Sequence, residues 1–404
     1  MSVPAESAKP IEAHNKGDER RAIGVACGAH ALHDGYTDLV YVMLPIWQHE
    51  FGLGFAALGL MKTVFSGALA SFQIPSGFLA ERFGAPLVLA LGTALAGIGY
   101  CLAGFSNGVV TLVAALFVGG LGASVQHPLA SSLIAQAFEG VRSRKALGTY
   151  NFAGDIGKMT LPATASLLFV ALPWRHALIL LGSFGVLAAI AIYVVMPRLR
   201  AAPAKAAKSE GADRVSGRLQ AYGFPLLLSV GVIDSATRMA FLTFLPFVLT
   251  DKGASLPTVG LALTLVFAGG AAGKLVCAFI GARIGTVATV WLTEGVTALG
   301  IVALLPLPLE AAMVLLPVVG IALNGTSSVL YGSVPDLVTP EKRTRAFGIF
   351  YTGTIGAGAV SPAIYGLLGD AAGVPWALTV VAAVVLLTLP VTLMLRPALA
   401  AQTA

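Results

Sequence analysis

Roughly twelve apolar stretches follow one another along the chain, each close to the ~20 residues that a helix needs to cross the hydrocarbon of a bilayer, with short polar or Gly/Pro breaks between them. They fall near 22–46, 56–80, 86–105, 109–136, 145–171, 175–196, 221–249, 256–281, 286–306, 311–336, 346–368 and 375–395. The composition agrees: 57% of the 404 residues are hydrophobic and 11% charged, above the apolar share and below the charged share of soluble domains. The expected fold is all-α, a polytopic membrane protein of twelve transmembrane helices.

The first twenty residues, MSVPAESAKPIEAHNKGDER, lack the apolar core and cleavage site of a signal peptide and are read as a cytosolic tail. Cys27, Cys101 and Cys277 all fall inside apolar spans, where they act as small hydrophobes and not as a disulfide or zinc set. With both termini in the cytosol, the loops on the far side hold only Arg175 and Lys252 of the 25 Lys and Arg. Lys62, Lys158, Arg238 and Lys274 lie within spans, and the remainder cluster on the cytosolic side, which is the positive-inside pattern. The net charge of +6 thus reflects topology. Scattered over short loops with no aromatic platform, it does not point to nucleic acid.

Residues 197–219, PRLRAAPAKAAKSEGADRVSGRL, are the one long polar stretch inside the chain. A shift of 201 positions places Leu245-Pro246 on Leu44-Pro45, Gly260 on Gly59, Arg283 on Arg82 and Gly285 on Gly84. A shift of 200 places Gly320 on Gly120, Gly348 on Gly148 and Pro362 on Pro162. The chain therefore reads as two pseudo-symmetric six-helix bundles, 22–196 and 220–396, joined by a cytosolic linker at 197–219 and flanked by tails at 1–21 and 397–404. Parallel repeats of this kind place a binding site at the bilayer midplane between the halves and let one half rock against the other.

This layout resembles the major facilitator superfamily. The loop GFLAERFG (77–84) is similar to that superfamily's signature after helix 2, with Glu81 where aspartate is usual and Ala85-Pro86 in place of a basic pair. GLGASVQHP (120–128) and KALGTYNFAGDIGKMTLP (145–162) resemble the fosmidomycin-resistance branch, with Leu129 where that branch carries an acid and Asp155 where it carries an amide. The resemblance implies a transporter of the drug-efflux kind. It also implies a cytosolic gate at Gly77, Glu81, Arg82 and Gly84, although Arg82 also serves as an orientation signal.

Within the first span, HALHDGYTDLVY (30–41) is unusually polar. On a helix His30, Asp34 and Asp38 form one stripe about 12 Å long, extended by Tyr41 and flanked by His33 and Thr37. An aspartate at a helix centre costs about 2.5–3.5 kcal/mol on insertion scales, so the stripe faces protein or water. Two carboxylates one turn apart repel, and burial disfavours their charged forms, so one of them is expected to take up a proton. Asp34 and Asp38 are the candidate proton carriers, with His30 and His33 as relays; the alternative is that His30 and Asp34 bond across to another helix.

In the second half, Asp234 and Arg238 are an i, i+4 pair with the acid first. Arg238 either holds an anionic solute through its fork of donors or neutralises Asp234. Asp155 and Lys158 contact solute or pair locally. Lys274, repeat-mate of Gln73, is a further solute candidate. Lys62 is another, unless it snorkels to the interface. Glu294 faces the cavity or pairs locally, and His127-Pro128 marks a kinked helix 4 with His127 as a ligand of solute or proton. The four acids Asp34, Asp38, Asp155 and Asp234 balance the four bases Lys62, Lys158, Arg238 and Lys274, which favours an anionic or zwitterionic solute over an organic cation.

The expected function is proton-coupled antiport that exports a small anionic, zwitterionic or amphiphilic compound from a bacterial inner membrane, by a monomer. Proton-coupled uptake of an organic anion uses the same residues in the opposite direction. A scaffold role is disfavoured by the short loops. No nucleophile–base spacing, phosphate loop or metal motif points to an enzyme, and no cofactor is expected. The helix 1 stripe would bind a metal, or serve a metal or metal-chelate transporter, only with ligands from other helices.

Overall fold

With no water at lipid depth, a spanning segment has to satisfy its backbone polar groups internally, so apolar runs of this length become helices. A computed structural model of the chain describes residues 16–138, 140–196, 217–339 and 342–400, and among them there is no strand. Most of the expected linker and the extremities of both tails lie outside the described residues.

The twelve stretches correspond to twelve helical spans. The first three are α1 (Lys16–Phe51), α2 (Phe55–Phe83) and α3 (Ala85–Gly104). Span α4 comes in two pieces, Val109–Ala123 and Gln126–Ala137; α5 (Gly140–Ala171) and α6 (Trp174–Val195) complete the first half. After α7 (Gly217–Asp251), one helical stretch, Leu256–Leu304, turns over at Gly285 and so forms α8 before that residue and α9 after it. The last are α10 (Leu309–Ser333), α11 (Arg343–Ala372) and α12, in pieces Val374–Val385 and Thr388–Ala400. Ten of the spans are long and apolar enough to cross a membrane by themselves. The other two are α1 and α5, the helices that carry Asp34, Asp38, Asp155 and Lys158, and they pack on each other.

The repeat is visible in the backbone. Gly84 and Gly285 both take a positive φ, 89° and 81°, and so do Gly52 and Gly253, 62° and 87°. Each pair is related by the shift of 201, and each reverses the chain between consecutive helices with a conformation that side chains with a Cβ resist. Large apolar side chains such as Val170, Leu187, Val194, Leu299 and Val314 stand exposed on the outside of the bundle, as a lipid-facing surface requires.

The halves meet in the parts of the helices farthest from the chain termini. Thr63 of α2 donates to the carbonyl of Ala359 on α11 at 2.7 Å, Gly59 lies directly on the Pro362 carbonyl, and Thr264 of α8 donates to the Met159 carbonyl on α5 at 2.7 Å. At the far end Asp370 of α11 accepts from the backbone N–H groups of Phe55 (2.6 Å) and Ala56 (3.0 Å), so it caps α2 from the opposite half. Toward the terminal face Ile74 and Phe78 of α2 are exposed, and a Cβ added at Gly77 would meet nothing within 4 Å outside its own helix. The halves are closed against each other on the far face.

Candidate functional site

The crossing of α1 and α5 sets the centre of the site. A Cβ at Gly157 would collide with the Ala31 carbonyl, and one at Gly35 would meet Leu161 at 2.6 Å, so the helices touch backbone to backbone. The small residues of GDIGKM (154–159) allow this close approach. One turn away, Gly154 leaves room for the Asp34 carboxylate and the His30 ring.

Asp34 is buried within a ring of four nitrogen-bearing side chains. Its Oδ1 lies 3.4 Å from His30 Nε2, 3.7 Å from His33 Nε2 and 3.9 Å from His127 Nε2, and its Oδ2 lies 3.4 Å from Lys158 Nζ. His30 Nδ1 is 2.8 Å from the Tyr150 carbonyl, which only accepts. Nδ1 therefore carries a proton, and Nε2 is the atom turned to Asp34. His127 reaches the group from the start of the second piece of α4, after the chain breaks helical register at Ser124 and Val125; the expected kink sits just before His127-Pro128. Its side chain is half exposed to the cavity, whereas His30 and His33 are buried.

Asp38, one turn above, forms no ion pair, and its Oδ2 is buried without a hydrogen-bond partner; Lys158, Lys62 and Arg238 act on it from longer range. Lys62 does not snorkel. It is buried, donates to the Thr37 carbonyl at 2.9 Å and stands 4.4 Å over the Tyr41 ring. Tyr41 in turn reaches Met239 Sδ of the second half at 3.2 Å.

Of these groups His33, Asp34, Asp38, Tyr41, Lys62, His127 and Lys158 line a cavity of about 190 Å³ between the halves, which also receives Arg238, Ser235 and Tyr331 from the second half, whereas His30 lies behind it. Pockets for drug-sized ligands are typically ~300–1,000 Å³, so this one suits a small solute. Thr37 and Arg238, which the shift of 201 superposes, both line it.

The charged groups find partners that their spacing along the chain does not give. Asp155 and Lys158 do not pair: Lys158 turns to Asp34, and Asp155 takes Lys274 across the two halves, with Nζ at 2.6 and 2.8 Å from its two oxygens. The i, i+3 spacing puts the two side chains near each other but on different sides of the α1 contact. Asp234 and Arg238 also form no ion pair; Asp234 is buried beside Glu294 of α9 and does not line the cavity, while Arg238 does. The cavity is consequently not balanced: its charged lining is Asp34 and Asp38 against Lys62, Lys158 and Arg238. In the last turn of α2, Glu81 and Arg82 are exposed, and the Arg82 guanidinium rests 5.4 Å over Phe83.

Two contacts go beyond the sequence reading. Glu294, read as facing the cavity or pairing locally, lies beside Asp234 of another helix. Asp370 makes the other: an acid in the last turn of a helix opposes that helix's own dipole, unless it serves a different one. A metal ion would find its donors at His30, Asp34 and His127, whose atoms lie within 4.8 Å of one another. The Lys158 ammonium beside the same carboxylate already supplies the counter-charge.

The sequence profile of the Major Facilitator Superfamily matches the chain over residues 26–233 and again over 226–403. The chain is 25% identical over 359 residues to the fosmidomycin resistance protein of Escherichia coli (strain K12), covering 86% of each. It is 31% identical over 164 residues to a probable sulfoacetate transporter of Cupriavidus necator, covering 40% of this chain and 37% of that one. Among solved structures, a bacterial homolog of the human lysosomal transporter Spinster, in an inward-facing and occupied conformation, superposes with a TM-score of 0.73 at 14% identity, covering 96% and 97% of the two chains. That likeness concerns the fold alone. By profile, relatives and architecture together, the chain belongs to the Major Facilitator Superfamily, the multi-pass membrane transporters of small molecules.

Proposed function

We propose that the chain is a proton-coupled secondary transporter that exports a small acidic, zwitterionic or amphiphilic solute across a bacterial inner membrane, with both termini in the cytosol, acting as a monomer. The halves 22–196 and 220–396 rock about the linker at 197–219, and Gly77, Glu81, Arg82 and Gly84 form the cytosolic gate. One observation carries the reading: the cavity between the halves holds two carboxylates among three bases, and the Arg238 base has no acid partner. Arg238, with Lys62 nearby, is the anchor for an acidic group of the solute. Asp34 and Asp38 are the proton-binding groups. A proton on Asp34 releases Lys158 from its ion pair, and the Nε2 atoms of His30, His33 and His127, all within 4 Å of Asp34, support a relay of that proton by the imidazoles. Asp155 and Lys274 hold the halves together beside the solute.

Export in exchange for protons requires solute and proton to compete. A zwitterion satisfies this, its acidic end on Arg238 and its positive group taking the place of a proton at Asp34 or Asp38. The likeness to a fosmidomycin resistance protein over 86% of both chains supports export. A second reading is uptake together with protons, which the net positive lining favours for a solute with negative charge alone: each added proton makes the cavity more attractive to it.

Purified protein in weakly buffered detergent separates the two. Zwitterionic solutes, fosmidomycin and sulfoacetate are added in turn, and released or absorbed protons are read with a pH dye. Proton release on binding supports exchange; proton uptake supports joint movement. Binding with no proton change under any solute, together with transport in liposomes that ignores an imposed pH gradient, would sink the proposed coupling.

A further inference from the structure

Beyond the cavity, the second half buries two carboxyls side by side. Asp234 of α7 and Glu294 of α9 lie beside each other, and both are almost fully buried. Among the described residues no lysine or arginine lies within ion-pair distance of either, and Glu294 Oε1 has no hydrogen-bond partner. One turn on, Thr237 follows Asp234 and Thr297 follows Glu294 by three residues, and both hydroxyls are buried without partners. The charged and titratable groups that act on the pair are Arg238 of α7 and Tyr331 of α10, with the Thr326 hydroxyl of α10 beside Glu294.

Two features of this cluster demand a common cause. Adjacent buried carboxyls cannot both ionise, because each anion raises the cost of the other where water is scarce. And Arg238, four residues after Asp234 in the favourable order, leaves that acid and turns into the cavity with its Nε unpartnered. A free Asp234 carboxylate would hold it.

We propose that Asp234 and Glu294 share one proton, and that by occupying Asp234 in this way Glu294 keeps Arg238 unpaired and presented to the cavity. Glu294 is then a positioning residue that acts through Asp234. The proposal rests on the reading of Arg238 as the anchor of an acidic group only for its consequence, that Glu294 governs affinity for acidic solutes; the proton itself is detectable without any solute.

The test uses full-length protein in detergent with the near-isosteric variants Glu294→Gln and Asp234→Asn. Infrared difference spectra between wild type and the double variant should show the carbonyl stretch of a protonated carboxyl, sensitive to deuterium exchange. That band should vanish in Glu294→Gln, where Asp234 ionises against Arg238, and persist in Asp234→Asn, where Glu294 is left neutral. Phenylglyoxal labelling of the Arg238 peptide, read by mass spectrometry, should be slowed roughly tenfold in Glu294→Gln, the low end of what a hydrogen bond to a charged group is worth, and stay at the wild-type rate in Asp234→Asn. Absence of the band from wild type, or equal labelling of Arg238 in wild type and Glu294→Gln, overturns the proposal. Neither result bears on whether the cavity binds an acidic solute, so the two readings fail separately.

Discussion

Replacing Asp370 by alanine should loosen the closed face of the transporter by an amount the structure allows to be worked out. Its carboxylate accepts two backbone N–H groups at the start of α2, from Phe55 at 2.6 Å and Ala56 at 3.0 Å. Removing an N-terminal cap costs about 0.5–2 kcal/mol, and the charge at a helix N-terminus adds about 0.3–1 kcal/mol. Asp370 is exposed, which places the sum in the lower part of that range, about 1–2 kcal/mol. Donor and acceptor sit on different halves, so any separation at this face breaks both bonds, and the whole loss appears in the open–closed equilibrium. That corresponds to roughly a 5- to 30-fold shift toward opening, since 1.4 kcal/mol is a factor of ten. The substitution does not confound itself by weakening α11, because an acid two residues before that helix's end at Ala372 opposes its dipole. Spin labels at His49 and Asp251, both exposed near the closed face, would report the distance distribution in a background with Cys27, Cys101 and Cys277 replaced by serine. Gly54→Ala offers an independent perturbation in the same direction, because its new Cβ would lie 2.8 Å from Asp370 Oδ1. Distributions of both variants that superpose on wild type would refute the reasoning and leave Asp370 as a surface contact of no energetic weight.

Three further outcomes are expected. Asp34→Asn should abolish uphill, proton-driven transport while exchange or binding of solute stays measurable, and retained uphill transport would remove Asp34 as carrier; Asp38→Asn run in parallel tells which of the two carries the proton. Lys274→Met and Asp155→Asn should each lower the thermal unfolding midpoint more than the double variant does, because a single change strands a partly buried charge; strictly additive losses would mean that the pair is not coupled. Gly157→Ala should destabilise the protein by about 1–3 kcal/mol through overpacking against Ala31, and an unchanged unfolding midpoint would show that α1 and α5 part easily.

Much of this architecture was legible in the residues. Apolar runs gave the helices because lipid leaves a backbone no other way to bond, and the shift of 201 found chain reversals at Gly84 and Gly285 that share a left-handed conformation. The polar stripe from His30 to Tyr41 marked the cavity wall for the same energetic reason: ionisable groups at lipid depth have to face protein or water. Pairing was not legible. Asp155 and Lys158 stand three residues apart, yet each takes its partner from more than a hundred positions away, Lys274 and Asp34. Asp234 and Arg238 obey the local rule for an ion pair and do not form one.

By itself, then, the sequence determined which segments leave water, how the two halves correspond, and which side chains have to be kept from lipid, since hydropathy and repeat spacing are properties of a segment and its immediate neighbours. Which charge meets which, and so the net positive lining of the cavity and the closure of one face, was decided only when α1 met α5, α7 met α9 and α2 met α11. A buried charge settles on whichever partner lies nearest in space, and helix crossings, not spacing along the chain, set that distance.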